Sequence, residues 1–135
     1  MTAKGNANVE IALRYIEALS SGKGPEEIAR FYAADVVQEE FPNRLLPDGA
    51  TRDLAALMVG RAKGQALLSA ERYEVLGALA DGDYVALELR WTATVGVKAG
   101  PFEPGQPLRA HFAVFLEMHD GRITHQRNYD CFDPF

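Results

Sequence analysis

The hydrophobic period of the chain changes near residue 71, and this change limits the available folds more than any other feature. Before it, apolar residues recur every three or four positions, as helices require; after it, they alternate at every second position, as in half-buried strands. Asp81-Gly82-Asp83 and Asp120-Gly121 interrupt the alternation, and both are typical of tight hairpin turns. The pattern predicts helices followed by an antiparallel meander, which is an α+β domain with helices on one sheet face.

Three helices are predicted before this change of period. Apolar residues recur at helical spacing over 9–19, behind Asn6 or Asn8 as the N-terminal cap. A short second helix begins at Pro25 and ends near Ala34. The third helix presents an inner stripe made of Leu54, Leu57, Met58, Arg61 and Leu68.

The alternating segments predict strands. One short strand precedes the third helix, over VVQEEF at 36–41, and Pro42 ends it because proline has no amide hydrogen to donate. Further strands are predicted at residues 72–80, 84–95, 108–119 and 122–130. NRLLPDGATRD and GVKAGPFEPGQP are rich in turn-forming residues, so both are predicted to be irregular.

The length and charge of the chain disfavour several classes of protein. With 135 residues, 47% of them hydrophobic, it is predicted to be one domain over residues 1–135. A formal net charge of −5 disfavours nucleic acid as a partner. No apolar run approaches the roughly 20 residues of a membrane span, and MTAKGNAN lacks the apolar part of a signal peptide. We therefore expect no membrane contact and a cytoplasmic location.

Cysteine and histidine offer little for metal or redox chemistry. Cys131 is the only cysteine, so an internal disulfide is impossible, and it is expected to be a small buried hydrophobe. His111, His119 and His125 do not combine with the carboxylates at a ligand-like spacing. The sequence therefore predicts no metal and no other cofactor.

Three segments resemble those of a known superfamily. RYIEALSSG lies in the first helix, EEIARFYAADVVQEEFP runs from the second helix into a strand, and DGRITHQRNYD forms the last hairpin. Their order and spacing resemble the nuclear transport factor 2-like superfamily, in particular its SnoaL-like (polyketide cyclase) and ketosteroid isomerase-like branches. The resemblance implies a cone-like α+β fold, in which three N-terminal helices pack on a curved, mainly antiparallel sheet and enclose a pocket.

The resemblance also implies where chemistry would occur. Tyr15 falls at the position of the tyrosine that hydrogen-bonds the substrate oxyanion in ketosteroid isomerases, and Glu40 falls at the position of their general base. Their protonated aspartate corresponds to Ala113 or Val114, so no acid stands there. Losing one donor to an oxyanion typically costs on the order of a hundredfold in rate, which disfavours steroid isomerisation.

Candidate site residues are those that alternation and the resemblance direct toward the pocket. The catalytic candidates are Glu40, Tyr15 and Asp130, and the substrate-binding candidates are Asn128, Gln126, Gln38, His111 and Phe112. Even-numbered residues of the last strand share one face, which the resemblance assigns to the pocket. Either face of the strand over 108–119 could line the pocket, so that strand contributes one candidate from each face.

The same residues have structural interpretations. Glu39 and Glu40 fit a solvated strand end, and Tyr15 fits an ordinary core tyrosine. Asp130 could pair with Arg127. From the sequence these interpretations stand beside the functional ones.

Three functions therefore fit the sequence. The leading hypothesis is a cofactor-independent acid–base enzyme, of isomerase, cyclase, dehydratase or hydrolase type, acting on an apolar carbonyl or epoxide compound. In it, Glu40 moves the proton, Tyr15 donates to the oxyanion, and Asn128 and Asp130 orient the substrate. The alternatives are a noncatalytic binding module for a small apolar metabolite and a pure dimerisation domain.

The outer face of the sheet also carries large side chains. Arg127 and Tyr129 lie on it, together with Trp91 or Tyr84, which is more than a solvated face requires. An antiparallel sheet with apolar groups on both faces must be covered. As the resemblance implies, we expect a homodimer packed through this face.

Overall fold

Helices and strands alternate in an order close to the predicted one over residues 2–135, the part of the chain that the computed structural model describes. In chain order they are α1 (Ala3–Ser20), α2 (Pro25–Ala29), β1 (Tyr32–Glu40), β2 (Ala50–Arg52), α3 (Leu54–Leu67), β3 (Leu68–Asp81), β4 (Tyr84–Val95), β5 (Pro107–His119) and β6 (Arg122–Phe132). The α+β class and the three helices are confirmed. None of the helices in this range is long and apolar enough to cross a membrane.

The six strands form one open, mixed sheet in the order β2-β1-β6-β5-β4-β3. β1 pairs with β6 in parallel, and every other neighbouring pair is antiparallel. The parallel register sets Gln38 beside Gln126 and Glu40 beside Asn128. Side chains of β1 and β6 that point to the same face therefore lie next to one another although they are far apart in sequence.

Strict alternation in β4 and β5 builds the core on the inner face of the sheet. Odd-numbered residues of β4 and even-numbered residues of β5 are buried, as in Leu89 and Leu116, which are almost fully enclosed. Ala12 and Ile16 of α1 complete this core. The alternation settles the orientation of β5: Phe112 points inward and His111 points outward.

The same alternation decides three side chains that the sequence left uncertain or placed wrongly. Trp91 is on the inner face and buried, whereas Tyr84 is on the outer face and exposed. Cys131, predicted to be buried, is exposed because it pairs with His111 on the outer face of the sheet. Burial of this cysteine was therefore a wrong prediction.

The boundaries of the first helices differ from the prediction. Thr2 caps α1 by accepting a hydrogen bond from the amide of Gly5, whereas Asn8 lies inside the helix, buried, and donates to the carbonyl of Gly82. α2 ends at Ala29 rather than near Ala34. The chain becomes a strand early because Tyr32 already pairs with β6, and sheet pairing outweighs local helix propensity.

β2 was not predicted, because its three residues lie in a segment that reads as irregular. Gly49 makes it possible: its φ is +66°, and a Cβ there would stand 2.6 Å from the carbonyl oxygen of Glu40. The chain can thus turn back tightly after Pro42 and pair Arg52 with Gln38. This short strand matters because it places the Arg52 guanidinium on the inner face of the sheet, at the cavity.

Replacing Gly49 by alanine should lower the free energy of unfolding by roughly 1–3 kcal/mol, since alanine disfavours the left-handed conformation and its Cβ would collide with backbone. Gly60→Ala is the matched control, because Gly60 is helical and no atom lies within 4 Å of its virtual Cβ. That substitution should instead stabilise the protein by about 0.5–1 kcal/mol. Urea unfolding of both variants measures the difference, and equal effects would contradict this account of β2.

Candidate functional site

A cavity of about 680 Å³ lies between the inner face of the sheet and helices α1 and α3. The predicted site residues that line it are Tyr15, Gln38, Glu40, Phe112, Gln126, Asn128 and Asp130. His111 is not among them: it is exposed on the outer face, where its Nε2 lies 3.4 Å from the guanidinium of Arg90. Its proposed contact with substrate in this cavity is a wrong prediction, because alternation in β5 turns it away.

The amide side chains of β1 and β6 form a continuous hydrogen-bonded relay. Asn128 Oδ1 accepts from Gln38 Nε2 at 3.0 Å and from Gln126 Nε2 at 2.9 Å. Gln38 Oε1 in turn accepts from the guanidinium of Arg52 at 2.8 Å. Gln38 and Gln126 are buried, and buried amides are stable only when their polar atoms are paired.

Tyr15 and Tyr32 continue this relay on the helix side. Their hydroxyl oxygens are 2.5 Å apart, and the Tyr15 hydroxyl donates to Gln126 Oε1 at 3.3 Å. Burial raises the pKa of Tyr15, and it raises that of Tyr32 well above the ordinary value. Tyr15 is therefore neutral, and its hydroxyl hydrogen is already directed to an amide rather than left free for a substrate oxyanion.

Glu40 faces the cavity wall with both carboxylate oxygens occupied. Oε1 accepts from Arg52 at 2.9 Å, and Oε2 accepts from Asn43 Nδ2 at 2.8 Å. The side chain is only 16% exposed, so the ion pair is largely shielded from water. These two contacts fix the orientation of the carboxylate, although each oxygen keeps one further lone pair.

Asp130, in contrast to Glu40, has a buried carboxyl oxygen that no group of the described residues pairs with. Among residues 2–135, its Oδ1 is the one buried side-chain nitrogen or oxygen without a hydrogen-bond partner. Burial and, to a lesser extent, the negative charge of Glu40 raise the pKa of Asp130, the positive charge of Arg52 lowers it, and the net result is a pKa of about 7. Near neutral pH this carboxyl group can therefore both take up and release a proton.

The cavity wall carries a second polar cluster, which the sequence did not predict. Glu71 accepts from Arg61 at 3.1 Å, from Tyr73 at 3.3 Å and from the indole nitrogen of Trp91 at 3.0 Å. Arg61 also donates to the carbonyl of Lys23, just after α1. Every oxygen of Glu71 is satisfied, so we assign this cluster to holding α3 against α1 and β3.

Aromatic rings make the rest of the wall apolar. Trp91 and Phe112 stack with ring centres 5.6 Å apart, and Phe132 meets both edge-on. The cavity thus combines an aromatic side with the polar side formed by β1, β2 and β6. No three His, Cys, Asp or Glu side chains within residues 2–135 converge as a metal-binding set would require.

The fold and the site together define the class of this protein. It is an α+β domain with a pocket, and β1, β2 and β6 form the polar wall of that pocket. A model of the SnoaL-like domain matches residues 12–126, and the chain belongs to this family. The superfamily that the sequence resembles is thus confirmed. No curated protein matches the chain significantly.

Solved structures share the fold at low sequence identity. IdmH of Streptomyces antibioticus, proposed to be a polyketide cyclase, superposes with a TM-score of 0.76 at 22% identity, covering 91% of each chain. AclR of Streptomyces galilaeus, proposed to be a hydroxylase, gives 0.77 at 19% identity over 91% of this chain and 74% of its own. A LEH-like epoxide hydrolase of M. tuberculosis gives 0.74 at 18% identity over 96% and 84%.

The raised pKa of Asp130 should make the free energy of unfolding depend on pH. Its pKa rises from 3.8, the ordinary value, to about 7 on folding, so its contribution to stability is fully present below pH 3.8 and is lost as the pH rises toward 7. The loss is at most on the order of 1.4 kcal/mol per pH unit. In urea unfolding, Asp130→Asn should be more stable relative to wild type at pH 8 than at pH 5; a pH-independent difference would contradict the assignment.

Proposed function

We propose that this protein is a cofactor-independent acid–base enzyme that acts on an apolar carbonyl or epoxide compound, with Asp130 as the group that moves the proton. The observation that carries the proposal is the buried, unpartnered carboxyl oxygen of Asp130 in the wall of a cavity. A carboxyl group whose pKa lies near the working pH is the type of group that general acid–base catalysis uses. Proteins of the same fold include IdmH, proposed to be a polyketide cyclase, and a LEH-like epoxide hydrolase, and both are compatible with this proposal.

We assign the proton-transfer role to Asp130 rather than to Glu40. Glu40 is held in place by Arg52 and Asn43, whereas Oδ1 of Asp130 has no partner in the described part of the chain and is the less committed proton acceptor. The charge of Glu40 makes proton loss from Asp130 harder, which brings the pKa of Asp130 toward neutrality. Beyond the effect of burial, Glu40 and Arg52 thus act on Asp130 through their charges: Glu40 raises its pKa and Arg52 lowers it.

In the proposed reaction, the Asp130 carboxylate takes a proton either from a carbon next to a carbonyl or from a water that attacks an epoxide carbon. Next to a carbonyl, the C–H pair forms a C=C bond and the C=O π pair moves to the carbonyl oxygen. In an epoxide, the water oxygen forms a new bond to carbon, and the pair of the ring C–O bond that breaks moves to the epoxide oxygen. The protonated Asp130 then returns the proton to carbon or oxygen, so the enzyme ends unchanged. The aromatic wall of Trp91 and Phe112 limits water around these charges, which strengthens each interaction.

Turnover of a panel of enones, epoxides and polyketide-like ketones tests the proposal. Asp130→Asn should lower kcat/KM by roughly a hundredfold or more, because the amide cannot take up the proton. In the wild type, kcat/KM should rise with pH through a midpoint near 7, and Glu40→Gln should move that midpoint lower, since it removes a neighbouring negative charge.

Glu39→Gln is the matched control, because Glu39 is the adjacent glutamate of β1 and contacts His125 at 2.9 Å on the outer face. It should leave the midpoint unchanged. Full activity in Asp130→Asn would remove Asp130 from this role. Binding of the panel without any turnover would favour the noncatalytic metabolite-binding module.

We also propose that two copies pack through the outer face of the sheet. Exposed apolar side chains lie there, among them Tyr84, Phe115 and Tyr129, and the last two meet edge-on at 5.7 Å. Glu117 and Arg127, two of the charged groups on this face, already pair with each other at 2.8 Å, and Glu117 also accepts from Tyr84 at 3.1 Å. Covering the face would therefore bury apolar surface without leaving these charges unpaired.

Phe115→Glu should convert the dimer into a monomer, because it places an unpaired carboxylate at the centre of the apolar patch. Val59→Glu is the control, since Val59 is 54% exposed but lies on α3, away from the sheet face. Light scattering coupled to size-exclusion chromatography measures the mass of both variants. A wild-type monomer, or a Phe115→Glu dimer, would contradict the proposal.

A further inference from the structure

The side-chain amide of Asn128 offers an unused pair of hydrogens inside the cavity. Its Oδ1 is occupied twice, by Gln38 and by Gln126, whereas its Nδ2 makes no hydrogen bond within residues 2–135. Nδ2 is also absent from the fully buried, unpartnered atoms of this range, so it retains contact with solvent. Because Asn128 lines the cavity, this solvent-accessible donor is available to whatever occupies it.

The direction of this amide is imposed by Arg52. An arginine guanidinium only donates hydrogen bonds, so Gln38 must turn its oxygen toward Arg52 and its nitrogen toward Asn128. Asn128 must then present its oxygen to Gln38. A reversed Asn128 would set its NH₂ group against the NH₂ groups of Gln38 and Gln126, with no acceptor between them.

The helix side of the relay agrees with this direction. Gln126 uses its nitrogen for Asn128, which leaves its oxygen to accept from the Tyr15 hydroxyl. Both branches of the relay thus end on the same oxygen of Asn128. The guanidinium of Arg52 fixes the orientation of Gln38, and Gln38 in turn fixes that of Asn128. This is why the Nδ2 hydrogens of Asn128 remain without a partner among residues 2–135.

We infer that the Asn128 amide binds the oxygen of a neutral ligand that accepts hydrogen bonds, such as a ketone or an epoxide, and that Arg52 is the positioning residue that sets this preference. The inference rests on the proposed function, since it concerns the same cavity. Asp130 lies two residues further along the same face of β6, roughly 7 Å away, and is therefore within reach of the atoms next to that oxygen. An ammonium group would meet a donor at this position and be disfavoured.

Calorimetric titration with 2-adamantanone and with 2-adamantanamine tests the inference at pH 5.5. These probes have the same apolar cage but differ in whether the polar group accepts or donates. Asn128→Leu should weaken ketone binding by about tenfold, the worth of one good hydrogen bond, and leave amine binding unchanged. If the amide pointed the other way, the same substitution would weaken amine binding instead.

Two substitutions of Arg52 separate positioning from a purely structural role. Arg52→Lys keeps a donor-only cation and should keep ketone affinity within about twofold, whereas Arg52→Met frees Gln38 to reverse and should weaken ketone binding several-fold. Circular dichroism confirms that each variant is folded at the temperature of the titration. Equal effects of the two substitutions, an unchanged ketone affinity in Asn128→Leu, or a wild type that binds neither probe would overturn the inference.

The outcome is independent of turnover. Asp130→Asn, which removes the proton-transfer group, should retain the ketone affinity of the wild type within about twofold. Loss of activity with retained ketone binding therefore supports both proposals. Ketone binding without turnover by the wild type supports this inference alone.

Discussion

The parallel pairing of β1 with β6 is the contact on which the site depends. It sets Gln38 and Glu40 beside Gln126 and Asn128, residues separated by almost 90 positions in the chain. Neither strand could bury these polar side chains alone, because each amide would lack partners and unpaired buried polar groups cost about 1–3 kcal/mol. Paired, they form a polar wall whose hydrogen bonds are nearly complete.

Because most polar atoms of this wall are paired, the few that have no hydrogen-bond partner are informative. Within this wall, Oδ1 of Asp130 and Nδ2 of Asn128 make no hydrogen bond to any described residue, and these are the two groups that we propose meet a ligand. The ion pair of Arg52 and Glu40 does two things at once. Its cation orients the amides, and its anion raises the proton affinity of Asp130. The orientation of the amides thus depends on Arg52, whereas the raised pKa of Asp130 comes from burial and from Glu40 against the opposing charge of Arg52.

Much of the fold could be predicted from local patterns, and the errors have identifiable causes. The β4 and β5 strands followed from alternation, and Gly82 and Gly121 marked their turns. β2 was missed because three residues carry no period, and its existence depends on the left-handed conformation of Gly49. The early start of β1 was missed because only its partner β6 makes a strand favourable there.

By itself, the sequence determined the secondary-structure class, the two faces of the regular strands β4 and β5 and the set of side chains able to do chemistry, because these follow from spacing along the chain. The tertiary structure decided which of the two carboxylates is ion-paired and which has an oxygen without a partner. Sequence favoured Glu40, but β2 returns Arg52 to it, whereas Asp130 receives no partner. Contacts between distant strands set burial, pairing and hence pKa, and no local pattern records them.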